Sequence, residues 1–519
     1  MKDILPAAPT VRRWAHMDTA VLQSIWPQSD ILLNATQLSS GVEVAGDDAR
    51  LGCMRAALAA GRRVSMSAVG GSITAGSSFA AGVGSAADFL YHRKVARALD
   101  ARFPVMGGHG QYNGGVPGTG PTYMEHCVHD HLPSDVQLVL LEYAVNTDRN
   151  PVSFERLLRR LLVHPRRPGV IVVNAHRWRA IRPHDGRTDK CWHKSWPVDM
   201  AHNQTQWLAQ AMGRVAGLKD ELAADEDAIA SLCAHYNVPL VSMRGALVGA
   251  VRAGAVAIPA FMNDCKHPSG VGHSFLAQLV LHRLLHAPPS AAPGAPQTSC
   301  EAATASAPPL ALREPLFGVA GRDMTSSVCA RGEQMKAYVV HSDGFNLTDE
   351  GRGKGKLGYL AHDVGRSIAF CLPWPSETST ARPPSILWLG FLRSYEHMGR
   401  VRVSCTGQCA CAPELIDGHD IKDGVSVTDV RGIRLRPNRY PSNEAEACCR
   451  VRAHIAPGTS SGEHKFKVMS LLLGGADAHH LQVFSLRVAA SASEGPVGKA
   501  KGSSRRRSGR RRGNVRKPD

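Results

Sequence analysis

Short apolar runs alternate with amphipathic helical patterns between residues 62 and 285 of the chain. The mostly apolar run 136–143 is typical of a strand buried on both faces of a sheet. A helical pattern follows it, with Asn150 as a good N-cap and Pro151 at the first helical position. Because strands that alternate with helices form parallel sheets covered on both faces, this region predicts an α/β fold.

The pattern changes after residue 286. The segment 287–309 is rich in Pro, Ala and Ser, a composition typical of a semi-extended linker. From residue 316 onward, short apolar or alternating runs lie between turn residues without a helical period, which predicts an antiparallel β-sandwich. The predicted organisation is an N-terminal extension (1–60), an α/β domain (61–286, with an insertion at about 178–218), a linker (287–315), a β-rich accessory domain (316–490) and a basic disordered tail (491–519).

The formal net charge of the 519-residue chain is +17, but residues 499–519 carry ten Lys or Arg and one acidic residue. Without this tail the net charge is only +8, which does not indicate a basic folded face for nucleic acid. The tail itself is interpreted as a solubilising segment or as a nonspecific binder of anionic polymers, with a nuclear address as an alternative.

The sequence gives mixed indications of the compartment. The strongest apolar run is interrupted by Gln137 and Glu142, so we expect no membrane span. The chain begins without the apolar core of a secretory signal. Thirteen cysteines and three acceptor triplets for N-glycosylation nevertheless favour a secretory or extracellular location, with a cytoplasmic one as the alternative. The triplets begin at Asn34, Asn203 and Asn346.

Five of the cysteines cluster in the β-rich region, at positions 405, 409, 411, 448 and 449. Their spacing differs from that of zinc ribbons and zinc fingers. We therefore expect disulfides there, with a zinc site as the alternative.

Ser72 lies in the turn G-G-S-I-T-A-G, which directly follows the predicted strand 62–69. Open α/β sheets bind their ligands at the carboxyl ends of the strands, so Ser72 occupies a suitable position for a nucleophile. The turn is not a G-x-S-x-G elbow, because Thr74 replaces a glycine, and it lacks the Gly-Lys-Ser/Thr of a phosphate-binding loop. A serine with only a turn-forming role is the structural alternative.

Three further segments follow later elements in order: N-G-G-V-P-G at 113–118, E-Y-A-V-N at 142–146 and D-C-K-H-P at 264–268. The glycines of the first can present backbone N–H groups, and Asn146 can present a side-chain amide. Asp264 and His267 are three residues apart, which allows the carboxylate to orient the imidazole while it accepts a proton from Ser72.

These four ordered blocks resemble those of the SGNH (GDSL-like) hydrolase superfamily over roughly residues 64–285. The resemblance implies a flavodoxin-like three-layer α/β/α fold with a parallel sheet. It also implies Ser72 as nucleophile, His267 as base, Asp264 as its orienting partner, and an oxyanion hole formed by the Ser72 and Gly118 N–H groups with the Asn146 amide. No cofactor or metal is expected. The chain departs from the usual pattern at Thr147 and Gly71, where many members carry aspartate; neither change removes one of the implied catalytic atoms.

A second group of polar residues, His126, His129, Asp130 and His131, has the residue types of a metal site. No cysteine or carboxylate set completes it, so we interpret the group as a solvated helix face.

The leading functional prediction is an ester hydrolase that acts through an acyl-enzyme, with acetyl groups on carbohydrate as the preferred substrate. The substrate preference depends on the likeness of a β-sandwich to sugar-binding accessory modules. An O-acyltransferase with the same triad and a noncatalytic cell-wall or surface binding protein are the alternatives. Because all five implied site residues precede the linker, we expect a chain that ends near Pro289 to hydrolyse small esters at close to the full rate.

Overall fold

The computed structural model describes residues 33–47, 49–77, 86–147, 151–181, 216–219, 223–285, 312–318, 326–351, 356–374, 386–421, 426–438 and 448–474. The predicted tail (491–519) lies outside these residues, as do most of the linker and of the insertion.

The first part of the chain alternates between strands and helices. Its helices are α1 (Ala35–Ser40), α2 (Ala49–Ala59), α3 (Ser72–Ala75), α4 (Tyr91–Arg102), α5 (Pro121–Cys127), α6 (Pro151–Leu162), α7 (Ala223–Tyr236), α8 (Met243–Arg252) and α9 (Gly270–Leu285). Its strands are β1 (Val42–Val44), β2 (Ser65–Gly70), β3 (Gly110–Asn113), β4 (Leu138–Glu142), β5 (Gly169–Asn174), β6 (Arg179–Ile181), β7 (Ala216–Lys219) and β8 (Leu240–Ser242). Short 3₁₀ turns lie at Ala86–Phe89, Val128–His131, Ala144–Asn146 and Ile258–Ala260.

Six of these strands form one sheet in the order β1-β8-β5-β4-β2-β3. Strands β8, β5, β4, β2 and β3 pair in parallel, and their order is that of flavodoxin-like folds. Strand β1 pairs antiparallel with β8 at the edge. Every residue of β2, β4 and β5 is buried, as expected for strands covered by helices on both faces. The predicted three-layer α/β/α fold is therefore confirmed.

Two segments that the sequence analysis set apart contribute to this domain. Residues 33–60 of the predicted N-terminal extension form α1, β1 and α2, and β1 extends the central sheet. At the borders of the predicted insertion, β6 and β7 pair as an antiparallel ribbon.

The second part of the chain is built from short strands. They are β9 (Ser326–Arg331), β10 (Val339–Asp343), β11 (Asn346–Thr348), β12 (Gly358–Ala361), β13 (Ser367–Pro373), β14 (Ile386–Arg393), β15 (Arg400–Gly407), β16 (Cys409–Ala410), β17 (Glu414–Asp417), β18 (Val427–Arg434), β19 (Arg436–Pro437), β20 (Cys448–Ala456) and β21 (Phe466–Gly474). A 3₁₀ helix spans Gly332–Tyr338.

Two antiparallel sheets make up this β-domain, in the orders β10-β13-β20-β15-β17 and β11-β12-β21-β14-β18. Strand β9 pairs with the second half of β21. Apolar side chains from both sheets form one core, which includes Phe370 and Phe466. The predicted β-sandwich is confirmed.

The clustered cysteines of the β-domain form disulfides, as predicted. The pairs are Cys371–Cys448, Cys405–Cys411 and Cys409–Cys449. Together they join strands β13, β15, β16 and β20, which lie in or beside one sheet. Within the described residues, no helix is long and apolar enough to cross a membrane.

The described residues all belong to one compact unit, and a fourth disulfide, Cys127–Cys329, joins α5 to β9 of the β-domain. Beside it, the His126 ring packs against Trp388 with ring centres 5.6 Å apart. His126 is only 2% exposed. The interpretation of residues 126–131 as a solvated face is therefore wrong at His126, because the β-domain covers this helix; His129 and Asp130 are exposed.

Candidate active site

Ser72 is the first residue of α3 and lies two residues after the end of β2. Strand β2 lies between β3 and β4, so the segments that leave these neighbours at the same edge surround Ser72. The short helix ends at Gly76, whose φ of 82° lies in the left-handed region that favours glycine. Its N–H bonds back to the carbonyl of Ser72 at 3.0 Å, which closes the turn around the serine.

The Ser72, His267 and Asp264 side chains form a continuous hydrogen-bonded series. Ser72 Oγ lies 2.8 Å from His267 Nε2, and His267 Nδ1 lies 2.7 Å from Asp264 Oδ2. The distances are those of a nucleophile beside a base and a base beside an orienting carboxylate.

Asp264 also organises its own loop, between α8 and α9. Its Oδ1 accepts the backbone N–H groups of Lys266 and His267, both at 2.7 Å. Burial alone would raise the pKa of Asp264, but the His267 ring and these N–H donors hold the pKa below its ordinary value. The side chain is therefore a carboxylate at neutral pH, and it favours the His267 tautomer with the proton on Nδ1.

The segment 114–118 packs directly on the nucleophile turn. The N–H of Gly114 donates to the Ala68 carbonyl at 2.8 Å, and the N–H of Val116 donates to the Gly70 carbonyl at 2.9 Å. A Cβ on Gly115 would lie 2.5 Å from the backbone nitrogen of Ala75, so this position requires glycine. Gly118 has a φ of 72°. We refer to residues 114–118 as the oxyanion loop, after the role that the sequence resemblance implies for Gly118.

Asn146 follows β4, the second neighbour of β2, and its side chain lies beside the Ser72 turn. Its Oδ1 lies 2.7 Å from the position that a Cβ on Gly71 would occupy. The amide group therefore lies beside the residue before Ser72, and glycine at position 71 leaves room for it. Within the described residues, Asn146 Oδ1 is buried without a hydrogen-bond partner. The structure thus brings together Ser72, Gly118, Asn146, Asp264 and His267, the five residues named from the sequence.

Glu142 belongs to one of the sequence blocks, but the sequence analysis gave it no role. It is fully buried behind the nucleophile turn, where it accepts a hydrogen bond from the Thr74 hydroxyl at 3.3 Å. Burial raises its pKa to about 7, although hydrogen bonds from Thr74 and Gly71 partly oppose the rise. The sequence pattern of this strand did not indicate a buried carboxyl group, because a single Glu at a strand end is commonly exposed.

The β-domain also reaches the site. The backbone N–H of Thr428 donates to the Gly118 carbonyl at 2.9 Å. A Cβ on Gly118 would lie 3.4 Å from both Cε and Nζ of Lys356. These contacts could not be predicted from the sequence, because they come from β18 and from the segment before β12, which carry no recognisable motif.

Among the described residues, no group of three or more His, Cys, Asp or Glu side chains has the arrangement of a metal site. His131 instead lies 3.0 Å from the Tyr123 hydroxyl.

No protein-family model matches the sequence, and comparison with curated proteins gives no match. The structure is similar to a two-domain esterase (CEX) active on acetylated mannans and co-crystallised with mannopentaose, with a TM-score of 0.53 and 17% identity over 85% of this chain and 99% of that chain. A second structure of a two-domain esterase (CEX) active on acetylated mannans gives a TM-score of 0.52 and 16% identity over the same shares. A family two carbohydrate esterase from Cellvibrio japonicus covers 30% of this chain and 34% of that chain, with a TM-score of 0.18 and 11% identity, too low to support an inference. The chain therefore has the two-domain fold of the first esterase.

Proposed function

We propose that the protein is a serine ester hydrolase that removes acyl groups, acetyl in particular, from carbohydrate. The observation that carries the proposal is the hydrogen-bonded series from Ser72 Oγ through His267 to the Asp264 carboxylate. A serine with only a turn-forming role would not need a histidine at 2.8 Å that is itself oriented by a carboxylate.

In the first half of the reaction, Ser72 Oγ attacks the acyl carbonyl carbon while His267 Nε2 takes the hydroxyl proton. The Asp264 carboxylate stabilises the imidazolium that forms. Collapse of the tetrahedral intermediate breaks the bond to the leaving alkoxide, which receives the proton from His267. The sugar hydroxyl departs and the acyl group stays on Ser72 as an ester.

In the second half, His267 takes a proton from water, and the resulting hydroxide attacks the acyl-enzyme carbonyl. The second intermediate collapses to release the carboxylic acid, and the proton returns to Ser72 Oγ. The bonds and protons of both half-reactions balance with the residues of the chain, the ester and water alone.

The negative oxygen of both intermediates needs hydrogen-bond donors that are already in place. We assign this role to the N–H groups of Ser72 and Gly118 and to the amide of Asn146. Three observations support the assignment: the oxyanion loop is bonded to the end of β2, Gly118 has a positive φ, and Asn146 lies against Gly71. Donors fixed before the reaction stabilise the charge without reorganisation.

The substrate class rests on the shared two-domain fold. The similar esterase is active on acetylated mannans, and it shares this architecture over 85% of the present chain. We therefore infer an acetylated polysaccharide or oligosaccharide as the substrate.

The test is hydrolysis of p-nitrophenyl acetate and of acetylated mannan by the wild type, Ser72→Ala and the matched control Ser77→Ala. Ser77 is exposed and lies five residues further along the chain. We expect acetate release from both substrates by the wild type and the control, and none above background by Ser72→Ala. Release by all three proteins would contradict the proposal. Transfer of acetyl to an added sugar, instead of release as acetate, would identify the acyltransferase, and no reaction at all would favour the noncatalytic protein.

A further inference from the structure

Strand β18 lies at the edge of its sheet, next to β14, and its outer side faces the oxyanion loop. Backbone N–H groups on the outer side of an edge strand have no partner in their own sheet. At Thr428 this N–H donates to the Gly118 carbonyl at 2.9 Å. The sheet edge of the β-domain therefore continues into the loop that carries one of the proposed oxyanion donors.

Two neighbouring side chains support the same end of β18. Lys356 Nζ donates to the Ser426 carbonyl at 3.0 Å, and the Ser426 hydroxyl lies 2.7 Å from the Ser394 hydroxyl. Lys356 also lies close to Gly118, because a Cβ placed on Gly118 would be 3.4 Å from Lys356 Cε and Nζ. Gly118 is thus enclosed on its carbonyl side by residues of the β-domain.

The helix that follows Gly118 is held by the same domain. Helix α5 ends at Cys127, which is bonded to Cys329 of β9. The Tyr123 hydroxyl lies 3.9 Å from Cys329 Sγ, and His126 packs on Trp388. The segment from Gly118 to Cys127 therefore contacts the β-domain at both of its ends.

We propose that the β-domain is a positioning component of the active site, in which β18 holds the Gly118 carbonyl and thereby restricts the backbone torsions of Gly118 that set the direction of its N–H toward the developing oxyanion. The proposal rests on the ester hydrolase function argued above. Its physical basis is the freedom of glycine: a residue with a φ of 72° and no Cβ has several accessible conformations. The bond from Thr428 restricts them further than the local bond from the Thr119 N–H to the Val116 carbonyl does. Displacement of a catalytic group by about 1 Å can reduce the rate by as much as about 10²-fold.

This proposal departs from the sequence-based expectation that a chain ending near Pro289 keeps its full rate on small esters. Such a chain contains all five proposed catalytic groups, but it lacks the donor to Gly118 and the partner of Cys127. The β-domain then acts in turnover itself and not only in holding a large substrate.

The experiment compares two proline variants of the full-length protein, Thr428→Pro and Arg434→Pro. Both positions lie on β18, six residues apart in an antiparallel ladder without a register shift, so their N–H groups point to the same outer side. Proline is tolerated on an edge strand where the N–H faces outward. Only Thr428 donates to Gly118, and Arg434 has an exposed side chain.

We expect Thr428→Pro to lower kcat for p-nitrophenyl acetate by roughly 10-fold to 10²-fold, with KM within about 2-fold of the wild type, since the lost stabilisation concerns the charged intermediate. Arg434→Pro should keep both constants within about 2-fold. The rate of labelling by a fluorophosphonate, which also needs the oxyanion hole, should fall in parallel with kcat.

A second pair decides the question if Thr428→Pro does not fold. Lys356→Met removes the bond to the Ser426 carbonyl with little change in side-chain length, and Lys336→Met changes an exposed lysine of the same domain. Lys356→Met should lower kcat by roughly 3-fold to 10-fold, the usual effect of one hydrogen bond, without raising KM. Lys336→Met should have no effect.

Folded Thr428→Pro or Lys356→Met with wild-type kcat would overturn the positioning role, and so would a raised KM with kcat unchanged, which would indicate a substrate contact. The proposed function is judged separately, from the wild type and Ser72→Ala in the same assay. A wild type without Ser72-dependent turnover would overturn both proposals.

Discussion

The Asp264 to His267 loop and the oxyanion loop both adjoin the Ser72 turn, but they differ in one contact: the oxyanion loop is also bonded to the β-domain. The first is organised by its own residues, since Asp264 Oδ1 accepts two N–H groups from the next three residues. The second ends at Gly118, whose carbonyl is bonded to Thr428 of the β-domain. The hydrogen bonds that orient the proposed base are therefore local in sequence, whereas the oxyanion loop, which is also bonded to β2, has an additional contact with the β-domain.

This difference has a consequence for how each side responds to change. Substitutions within residues 264–267 should act directly on the proposed base, because its orienting groups lie in the same loop. On the oxyanion side, a substitution in a strand of the β-domain can act on Gly118 without altering any catalytic atom. Variants on the two sides should therefore have separable effects on turnover.

Loss of the nucleophile or the base removes the centre that both sides serve. Ser72→Ala and His267→Ala should each lower kcat by roughly 10³-fold or more while the protein stays folded, as for other serine triads. Steady-state turnover of p-nitrophenyl acetate with circular dichroism on the same samples measures this. Near-normal turnover by Ser72→Ala would contradict the esterase function.

Asp264→Asn tests the base side with little disturbance of its loop. The asparagine keeps an oxygen for the N–H groups of Lys266 and His267, but it loses the carboxylate that faces His267 Nδ1. We expect a fall in kcat that is smaller than for Ser72→Ala by a factor of roughly 10 to 10². An unchanged kcat in a folded variant would show that the carboxylate only stabilises the turn.

Asn146→Ala tests another proposed oxyanion donor, the side-chain amide of Asn146 after β4. Because the amide acts mainly once charge develops on the oxygen, kcat should fall by about 10²-fold to 10³-fold with little change in KM. A raised KM with kcat unchanged would assign Asn146 to binding of the uncharged substrate. The double variant Asn146→Ala with Thr428→Pro also shows whether the Asn146 amide and the Gly118 N–H act together, since coupled residues give non-additive effects.

At Glu142, which lies beneath both sides, we expect an effect on stability and not on a proposed catalytic atom. Its pKa of about 7 in the folded protein exceeds its ordinary value of 4.5, so the folded state holds the proton more tightly. This contribution to stability is present below about pH 4.5 and is lost as the pH rises through 7. Glu142→Gln does not titrate, so relative to the wild type it should gain as much as about 3 kcal/mol between pH 4.5 and pH 8.

Urea unfolding at both pH values measures the change, with the exposed Glu333→Gln as control. Equal differences between Glu142→Gln and the wild type at the two pH values would show that folding does not raise the pKa of Glu142.

Most of the α/β fold and the proposed catalytic groups could be predicted from the sequence. The order of strands and helices required a parallel sheet, and the blocks at Ser72, Asn146 and His267 fall where its strands end or its last helix begins. These features could be predicted because each depends on residue types at short spacing. The Asp264 to His267 spacing is the clearest example.

The contact between Thr428 and Gly118 could not be predicted in the same way. It uses a backbone N–H and a backbone carbonyl, so any residue except proline could stand at position 428. The buried state of His126 is similar, because it depends on how the β-domain packs against α5 and not on the composition of α5. The disulfide pairing was also open, since the spacing of cysteines does not determine their partners.

Reaction with a fluorophosphonate, followed by peptide mapping in a mass spectrometer, tests whether Ser72 is an activated nucleophile. The wild type should gain one phosphonyl group, located on the peptide that contains Ser72. His267→Ala should react far more slowly, because the base that activates the hydroxyl is missing. An unlabelled wild type, or a label on a different residue that persists in Ser72→Ala, would contradict the account.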